Sequence, residues 1–243
     1  MLAFHTRLFA RNSYFVQLVL TSTVGIAVLQ VLAARSGGAV GSGDWLRPAI
    51  VGLWTECTVS AGTVGYQRFQ GTLVHLLMSP LPPERTLFPL LGSASVFGLL
   101  AFPIAALVSG LGGMPVGLGR GVGLVVGVVV MWLACLALSC CVGMLFVLTP
   151  NAMTYEGLLG IPLVLLSGVF VPPANLSPVV DGIAHVLPTR AAVEALFAAA
   201  AGGSPVWALV ESAGLSAVWL ALGVVLARVV VRRATVTGGV EFI

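Results

Sequence analysis

Long apolar runs separated by short polar breaks dominate the chain. Runs of about twenty residues can cross the hydrocarbon of a bilayer as helices rising 1.5 Å per residue. The pattern predicts such spans at residues 14–33, 48–65, 86–109, 121–148, 157–171 and 205–227. The expected architecture is therefore an all-α integral membrane protein with six transmembrane helices, forming a single transmembrane domain over residues 1–243.

Three stretches break this rhythm. The first, YQRFQGTLVHLLMSP over residues 66–80, is too short and too polar to cross. At 100° per residue Tyr66, Phe69, Leu73, Leu76 and Leu77 share one arc, while Arg68, Thr72 and His75 lie on the far side. This predicts a helix over 66–79 lying along the membrane surface, with Arg68 and His75 facing water or a partner protein. Pro80, Pro82 and Pro83 end it, because proline removes a backbone donor and biases the preceding residue away from helix.

The second stretch is residues 1–12, read as a short interfacial helix with Leu2, Leu8 and Phe9 on one arc and Arg7 and Arg11 opposite; Phe4 breaks the pattern. The apolar run after it is long enough to remain as a span, so it does not read as a cleavable signal. The third is residues 172–203, apolar but broken into pieces too short to cross. Ser177-Pro178 caps a helix to about Leu187, and Thr189 caps another that stops at Gly202-Gly203. Two short re-entrant helices in the outer leaflet fit this pattern.

Composition agrees. Apolar residues make up 58% of 243 positions, charged residues 8%, and mean hydropathy is +1.09, whereas soluble domains carry about 25% charged residues. The net charge of +3 suggests no nucleic-acid surface. All eleven basic residues are arginine, so the chain has no Walker A lysine and no P-loop ATPase site of its own. With the N-terminus in the cytoplasm, Arg7, Arg11, Arg68, Arg85, Arg228, Arg232 and Arg233 fall inside, and Arg35, Arg47, Arg120 and Arg190 outside. That bias fits the positive-inside rule, placing the 66–79 helix in the cytoplasm and the paired short helices outside.

Cys57, Cys135, Cys140 and Cys141 all sit in apolar runs, the pattern of buried free thiols. His5, His75 and His185 are scattered without metal-ligand spacing, so no metal site is expected. Ser13, Gln17, Thr21 and Gly25 recur every four residues along the first span, and Thr55, Glu56, Thr58, Ser60, Gly62 and Thr63 line the second. Such stripes face protein rather than lipid, as helix contacts or as a substrate path. Glu56 lies roughly 12 Å in from the external end of its span, where an ionised group is expensive. It reads as a contact to a cationic substrate, part of a gate, a protonated carboxyl, or a partner of Arg47. The i,i+4 pairs Asp181–His185 and Arg190–Glu194 stabilise their short helices, with a proton-sensing role for His185 as the alternative.

These residues carry a family resemblance. The chain resembles the membrane subunit of ABC-2 type transporters, a class that includes daunorubicin-type drug exporters and exporters of polysaccharides and teichoic acids. Gly71, Thr72, Leu73, Leu76, Leu77, Ser79 and Pro80 match the family's run through Arg-Gly-Thr-Leu-Glu to a proline. Pro162, Ser167, Gly168, Phe170, Pro172, Leu176, Pro188 and Glu194 match its fifth-span and external region. Gln67, Gln70 and Val74 stand where the family usually has charges.

The resemblance implies that residues 66–79 form the coupling helix, with Arg68, Phe69, Gly71, Thr72, Leu73, His75, Leu76 and Leu77 contacting a separate ATPase. It implies two permease subunits, identical or paired, above two ATPase subunits that hold ATP and Mg; this chain needs no cofactor and is not an enzyme. Gln17, Thr21, Glu56, Thr63 and Ser167 are candidates for the substrate path, and Phe170, Pro172, Asp181, His185, Pro188 and Glu194 for the external gate. The expected setting is a bacterial plasma membrane. With 8% aromatics the chain offers few sugar-stacking platforms. The cargo expected is then an amphipathic small molecule, peptide or lipid, as in efflux conferring antibiotic resistance, rather than a glycan or lipid-linked polymer. A secondary transporter would show inverted repeats with coupling-ion carboxylates, and an intramembrane hydrolase would need a nucleophile and base at matched depth. A non-transporting membrane anchor would use the same cytoplasmic helix.

Overall fold

Asn12 divides the first two helices: its side chain accepts the Tyr14 amide at 3.1 Å and starts the long helix that follows. The structure is a computed structural model that describes residues 2–10, 12–119, 121–149, 152–172, 175 and 177–236. Arg11, Arg120 and Leu176, which entered the sequence reading, lie outside the described residues. In chain order the helices are α1 (Leu2–Ala10), α2 (Ser13–Arg35), α3 (Leu46–Phe69), α4 (Leu73–Leu77), α5 (Pro83–Ser95), α6 (Ala101–Leu111), α7 (Gly121–Leu148), α8 (Ala152–Leu166), α9 (Pro178–Ala184), α10 (Pro188–Ala200) and α11 (Val206–Val236). Among the described residues there is no strand.

Helix α3 is the hub, packed against α2, α5, α6, α7 and α8. Its N-terminal half joins α7 and α10 in a core of Leu46, Ile50, Leu53, Met131, Cys135 and Leu196. Its other half joins α4, α5, α7 and α11 around Val64, Leu73, Leu87, Met144 and Val230. The four cysteines are free and buried, as expected.

Contacts between connections fix the direction of each helix. At one end the Trp45 indole donates to Gly117 O at 3.1 Å, and the Gly117 amide to Ser42 O at 2.8 Å. At the other, Arg68 reaches Thr149 O at 3.0 Å and Arg228 reaches Glu84 at 2.6 Å. Helices α2, α5–α6 and α8 therefore run one way, and α3, α7 and α11 return.

Among the described residues four helices are long and apolar enough to cross a membrane: Ser13–Arg35, Pro83–Leu111, Gly121–Leu148 and Val206–Arg233. The α9–α10 pair, bent by 89°, makes a fifth if counted as one broken span. The six expected spans thus reduce to four or five by this measure. Helix α8 has only 15 residues, and α3 is diluted by Glu56 and its small polar neighbours. Burial by other helices explains why α3 carries so little apolar surface.

Several boundaries differ from expectation: α8 lies five residues earlier than the expected span 157–171 at both ends. Helix α11 continues past Ala227 to Val236, with the arginines on its last turns. The third span is not one α-helix: Val96–Leu100 is a 3-10 segment between α5 and α6. Pro103 has no N–H to give Leu99 O, which favours the tighter winding. Gly98 lies in this segment against α3, where a Cβ would sit 2.8 Å from Leu53 Cδ1 and 3.1 Å from Glu56 Cβ.

Candidate functional site

The stretch expected as one surface helix over 66–79 is broken. Tyr66–Phe69 is the last turn of α3, and α4 is a separate five-residue helix. The break is a C-terminal glycine motif: Thr72 N bonds Gln67 O at 3.0 Å, and Gly71 N bonds Arg68 O at 2.9 Å. Gly71 adopts φ +71°, the left-handed region that glycine enters without strain. A Cβ on Gly71 would meet nothing within 4 Å. Gly71→Ala should therefore act through backbone strain alone, lowering unfolding free energy by about 1 kcal/mol in a thermal melt.

The predicted apolar arc is split by this turn. Leu73 and Leu77 are buried in the core with Val64, Leu87 and Met144, and Leu76 packs at its edge. Phe69 is 85% exposed and Met78 76% exposed, while Tyr66 is half-exposed. His75 faces outward as expected. Arg68 does not: it is half-buried and donates to the Thr149 carbonyl beyond the last turn of α7. A guanidinium there complements the negative end of the helix dipole. Thr72 is also turned inward, its hydroxyl bonding Gln67 O at 3.1 Å and the Gln67 side-chain oxygen. What emerges is a rigid elbow, anchored by Leu73 and Leu77, that presents Phe69, His75 and Met78.

The residues expected to line a path are not gathered in one cavity. Gln17 and Thr21 lie on the uncovered face of α2, the Thr21 hydroxyl bonding Gln17 O at 2.9 Å. Thr63 and Ser167 are buried and bond the carbonyls of Ser60 and Val164, each at 2.6 Å. Glu56 is fully buried, and neither carboxyl oxygen has a hydrogen-bond partner. Arg47, a candidate partner for it, instead pairs with Asp44 at 3.1 Å and lies over the Phe197 ring. A cavity of about 420 Å³, lined by Ile26, Val51, Trp54, Gly160, Val164 and Phe170 among others, opens between α2, α3 and α8.

At the opposite end Ser177 caps α9 by accepting the Val179 amide at 3.3 Å, as its sequence predicts. Thr189 does not cap α10, which begins at Pro188 after an extended Leu187. Arg190 ties the two short helices together: it bonds Glu194 at 3.2 Å, Asp181 at 2.9 Å and the His185 ring nitrogen. The spacing gave the within-helix pairs but not the Arg190–Asp181 link. Pro188 is buried and its carbonyl accepts the Ser212 hydroxyl at 2.9 Å, whereas Pro172 is exposed. Among the described residues no group of three acids, cysteines or histidines could hold a metal.

An apolar helical bundle with a sharply bent pair of short helices at one end and an anchored elbow at the other narrows the class. The family model for the ABC-2 type transporter matches residues 4–200, from α1 through α10. The chain belongs to the ABC-2 type transporter family. No curated protein and no solved structure matches it. As an ABC-2 type transporter chain it is a multi-pass membrane protein and the permease component of an ABC transporter. Such components associate with an ABC ATPase in a lipid bilayer and are generally not catalytic themselves. That assignment matches the missing Walker A lysine.

Proposed function

We propose that this chain is the transmembrane subunit of an ATP-driven exporter of the daunorubicin-exporter kind, moving an amphipathic small molecule, peptide or lipid-like substrate. The observation that carries the reading is the elbow. Its core anchors, Leu73 and Leu77, lie against α5, α7 and α11, so a push on Phe69, His75 and Met78 reaches the bundle as a rigid displacement. The ATPase would engage this surface, with ATP and Mg held on that partner. Arginine placement supports a cytoplasmic elbow. Arg7, Arg68, Arg85, Arg228, Arg232 and Arg233 lie at its end of the bundle and Arg35, Arg47 and Arg190 at the other.

The uncovered stripe of Ser13, Gln17, Thr21 and Gly25 on α2 supports a second permease subunit. Only 22% of the apolar stretch of α2 is buried, and polar groups at mid-span are disfavoured against lipid. A path formed there would be shared by two copies. The cavity between α2, α3 and α8 is almost wholly apolar, which favours a greasy cargo over a polymeric glycan.

The test is co-reconstitution with the ATPase and measurement of complex affinity and ATP hydrolysis. Phe69→Asp should weaken the complex about thirtyfold, the scale of losing one aromatic anchor worth about 2 kcal/mol. Its thermal melt should not move, because Phe69 is exposed. Unchanged affinity and hydrolysis would sink the coupling assignment. Leu73→Asp is a poor probe, since that side chain is core and the change unfolds rather than uncouples.

A further inference from the structure

Beside the α1–α2 junction lies a cavity of about 520 Å³, closed on its far side by α3 and lined by Phe9, Asn12, Phe15, Thr63, Tyr66 and Gln67 among others. It opens onto the elbow end of the molecule through a second concavity at Leu8, Ser13 and Gln70. None of the residues expected to contact substrate explains it except Thr63. The cavity exists because Asn12 ends α1 and turns the chain into α2.

Its walls differ in chemistry. One is a ladder of rings: His5 stacks on Phe9 at 6.4 Å, Phe9 meets Phe15 at 4.9 Å, and Phe15 stacks on Phe97 at 5.9 Å. The other carries hydrogen-bonding groups. The Tyr66 hydroxyl accepts from Gln70 at 2.8 Å, so its own proton is available to an acceptor. Asn12 spends its side-chain oxygen on the Tyr14 amide and Gln67 spends its own on Thr72, which leaves their amide NH₂ groups as donors.

Among the described residues the lining carries no charge. Burial pushes the His5 imidazole below its usual pKa, so the ladder is neutral too. The six arginines at this end create a positive field that opposes a cation entering the ring-lined space. Rings on one side, donors on the other and no acidic side chain among the described lining residues select a molecule without positive charge that carries flat apolar rings and acceptor oxygens.

We infer that this cavity is the intake site for a ring-bearing amphiphile without positive charge, its rings against Phe9 and Phe15 and its oxygens toward Asn12, Tyr66 and Gln67. Val59 lines both this cavity and the apolar one between α2, α3 and α8. One face of α3 from Gln70 to Val51, roughly 28 Å of helix, therefore joins the two. The transport role of the site rests on the export reading above; binding by itself does not.

Benzophenone is a suitable probe: neutral, two rings, one acceptor, and able to insert into nearby C–H bonds on irradiation. The purified chain, alone in phosphatidylcholine nanodiscs, would be irradiated with it and the adducts mapped by mass spectrometry. Saturable adducts should concentrate on residues 9–15 and 59–67. Thr63→Phe, which fills the cavity, and Tyr66→Ala, which removes a wall, should each cut that labelling about tenfold. Adducts on outward residues such as Leu29 and Val125 should stay the same. A benzophenone bearing a trimethylammonium group should compete at least about tenfold less well.

Labelling that does not saturate, spreads over outward faces and ignores both substitutions would overturn the site. Equal competition by the cationic analogue would overturn the exclusion of positive charge. If Thr63→Phe fails to fold, Tyr66→Ala decides the matter from a half-exposed position. No ATPase is present in this experiment, so its failure leaves the coupling reading intact. Failure of the Phe69→Asp test leaves the labelling unaffected in turn.

Discussion

Gly52→Leu is expected to leave no stably folded protein in detergent. Gly52 sits where α2, α3 and α6 meet, and even a methyl there would lie 2.0 Å from Thr23 Oγ1 and 2.9 Å from Ala101 Cβ. Thr23 is fully buried and β-branched, so its side chain has little freedom to turn aside. Two helix seams would have to part at once. Overpacking costs about 1–3 kcal/mol per site even where neighbours can shift, and marginal stability is only about 5–15 kcal/mol. Gly52→Ala should then lower unfolding free energy by about 3 kcal/mol, and Gly52→Leu should elute from size exclusion as aggregate. Gly25→Leu is the matched control, since a Cβ there meets nothing within 4 Å. A monodisperse Gly52→Leu with an unshifted melt would show that this crossing is not close.

Glu56→Met should do the opposite to stability while stopping transport. Both carboxyl oxygens of Glu56 are buried without partners, and so is the Thr23 hydroxyl. Replacing an unsatisfied buried polar group by an apolar one of similar shape is expected to raise unfolding free energy by about 1–3 kcal/mol. Glu56 also faces Gly98 in the 3-10 segment that interrupts the third span, the kind of winding found at hinges. Under the export reading, an unsatisfied group kept beside a hinge is a destabilising element with a use, and its loss should cut transport about tenfold or more. A melt that rises with transport intact would make Glu56 a structural leftover. A melt that falls would show that its oxygens have partners in the folded protein.

Where a feature depends on neighbours along the chain, the sequence announced it. The apolar run 121–148 is α7 residue for residue, and Ser177-Pro178 starts α9 as its capping chemistry requires. The Asp181–His185 and Arg190–Glu194 pairs follow from helical spacing. The misreadings have a different physical origin. Periodicity carried the surface helix straight through Gly71, because the arc of Tyr66, Phe69, Leu73 and Leu77 is equally consistent with one helix or two. The glycine inside the pattern was the available signal for a left-handed cap.

Partners distant in sequence were not legible at all. Nothing near Arg68 reveals that it serves the Thr149 carbonyl, and nothing near Arg190 shows that it bridges to another helix. The α1–α2–α3 cavity was not legible for the same reason: Phe9 and Tyr66 belong to two separate surface arcs and Phe15 lies within the first span, and only the turn at Asn12 brings them to one space.

The polarity of α3 also bears on how the chain reaches its membrane during synthesis. A segment that carries Glu56 among so many Thr, Ser and Gly residues partitions poorly into lipid by itself, and the helices that shelter it, α5 to α8, are translated later. Helix α3 must therefore be held at the insertion machinery, or enter as a hairpin with α2, until α7 emerges and its Ser139 bonds the Cys57 carbonyl. A ribosome stalled before residue 121 should leave α3 extractable from the bilayer by alkaline carbonate, and one stalled after residue 148 should not. In this bundle, the helix at the centre is the last to be secured.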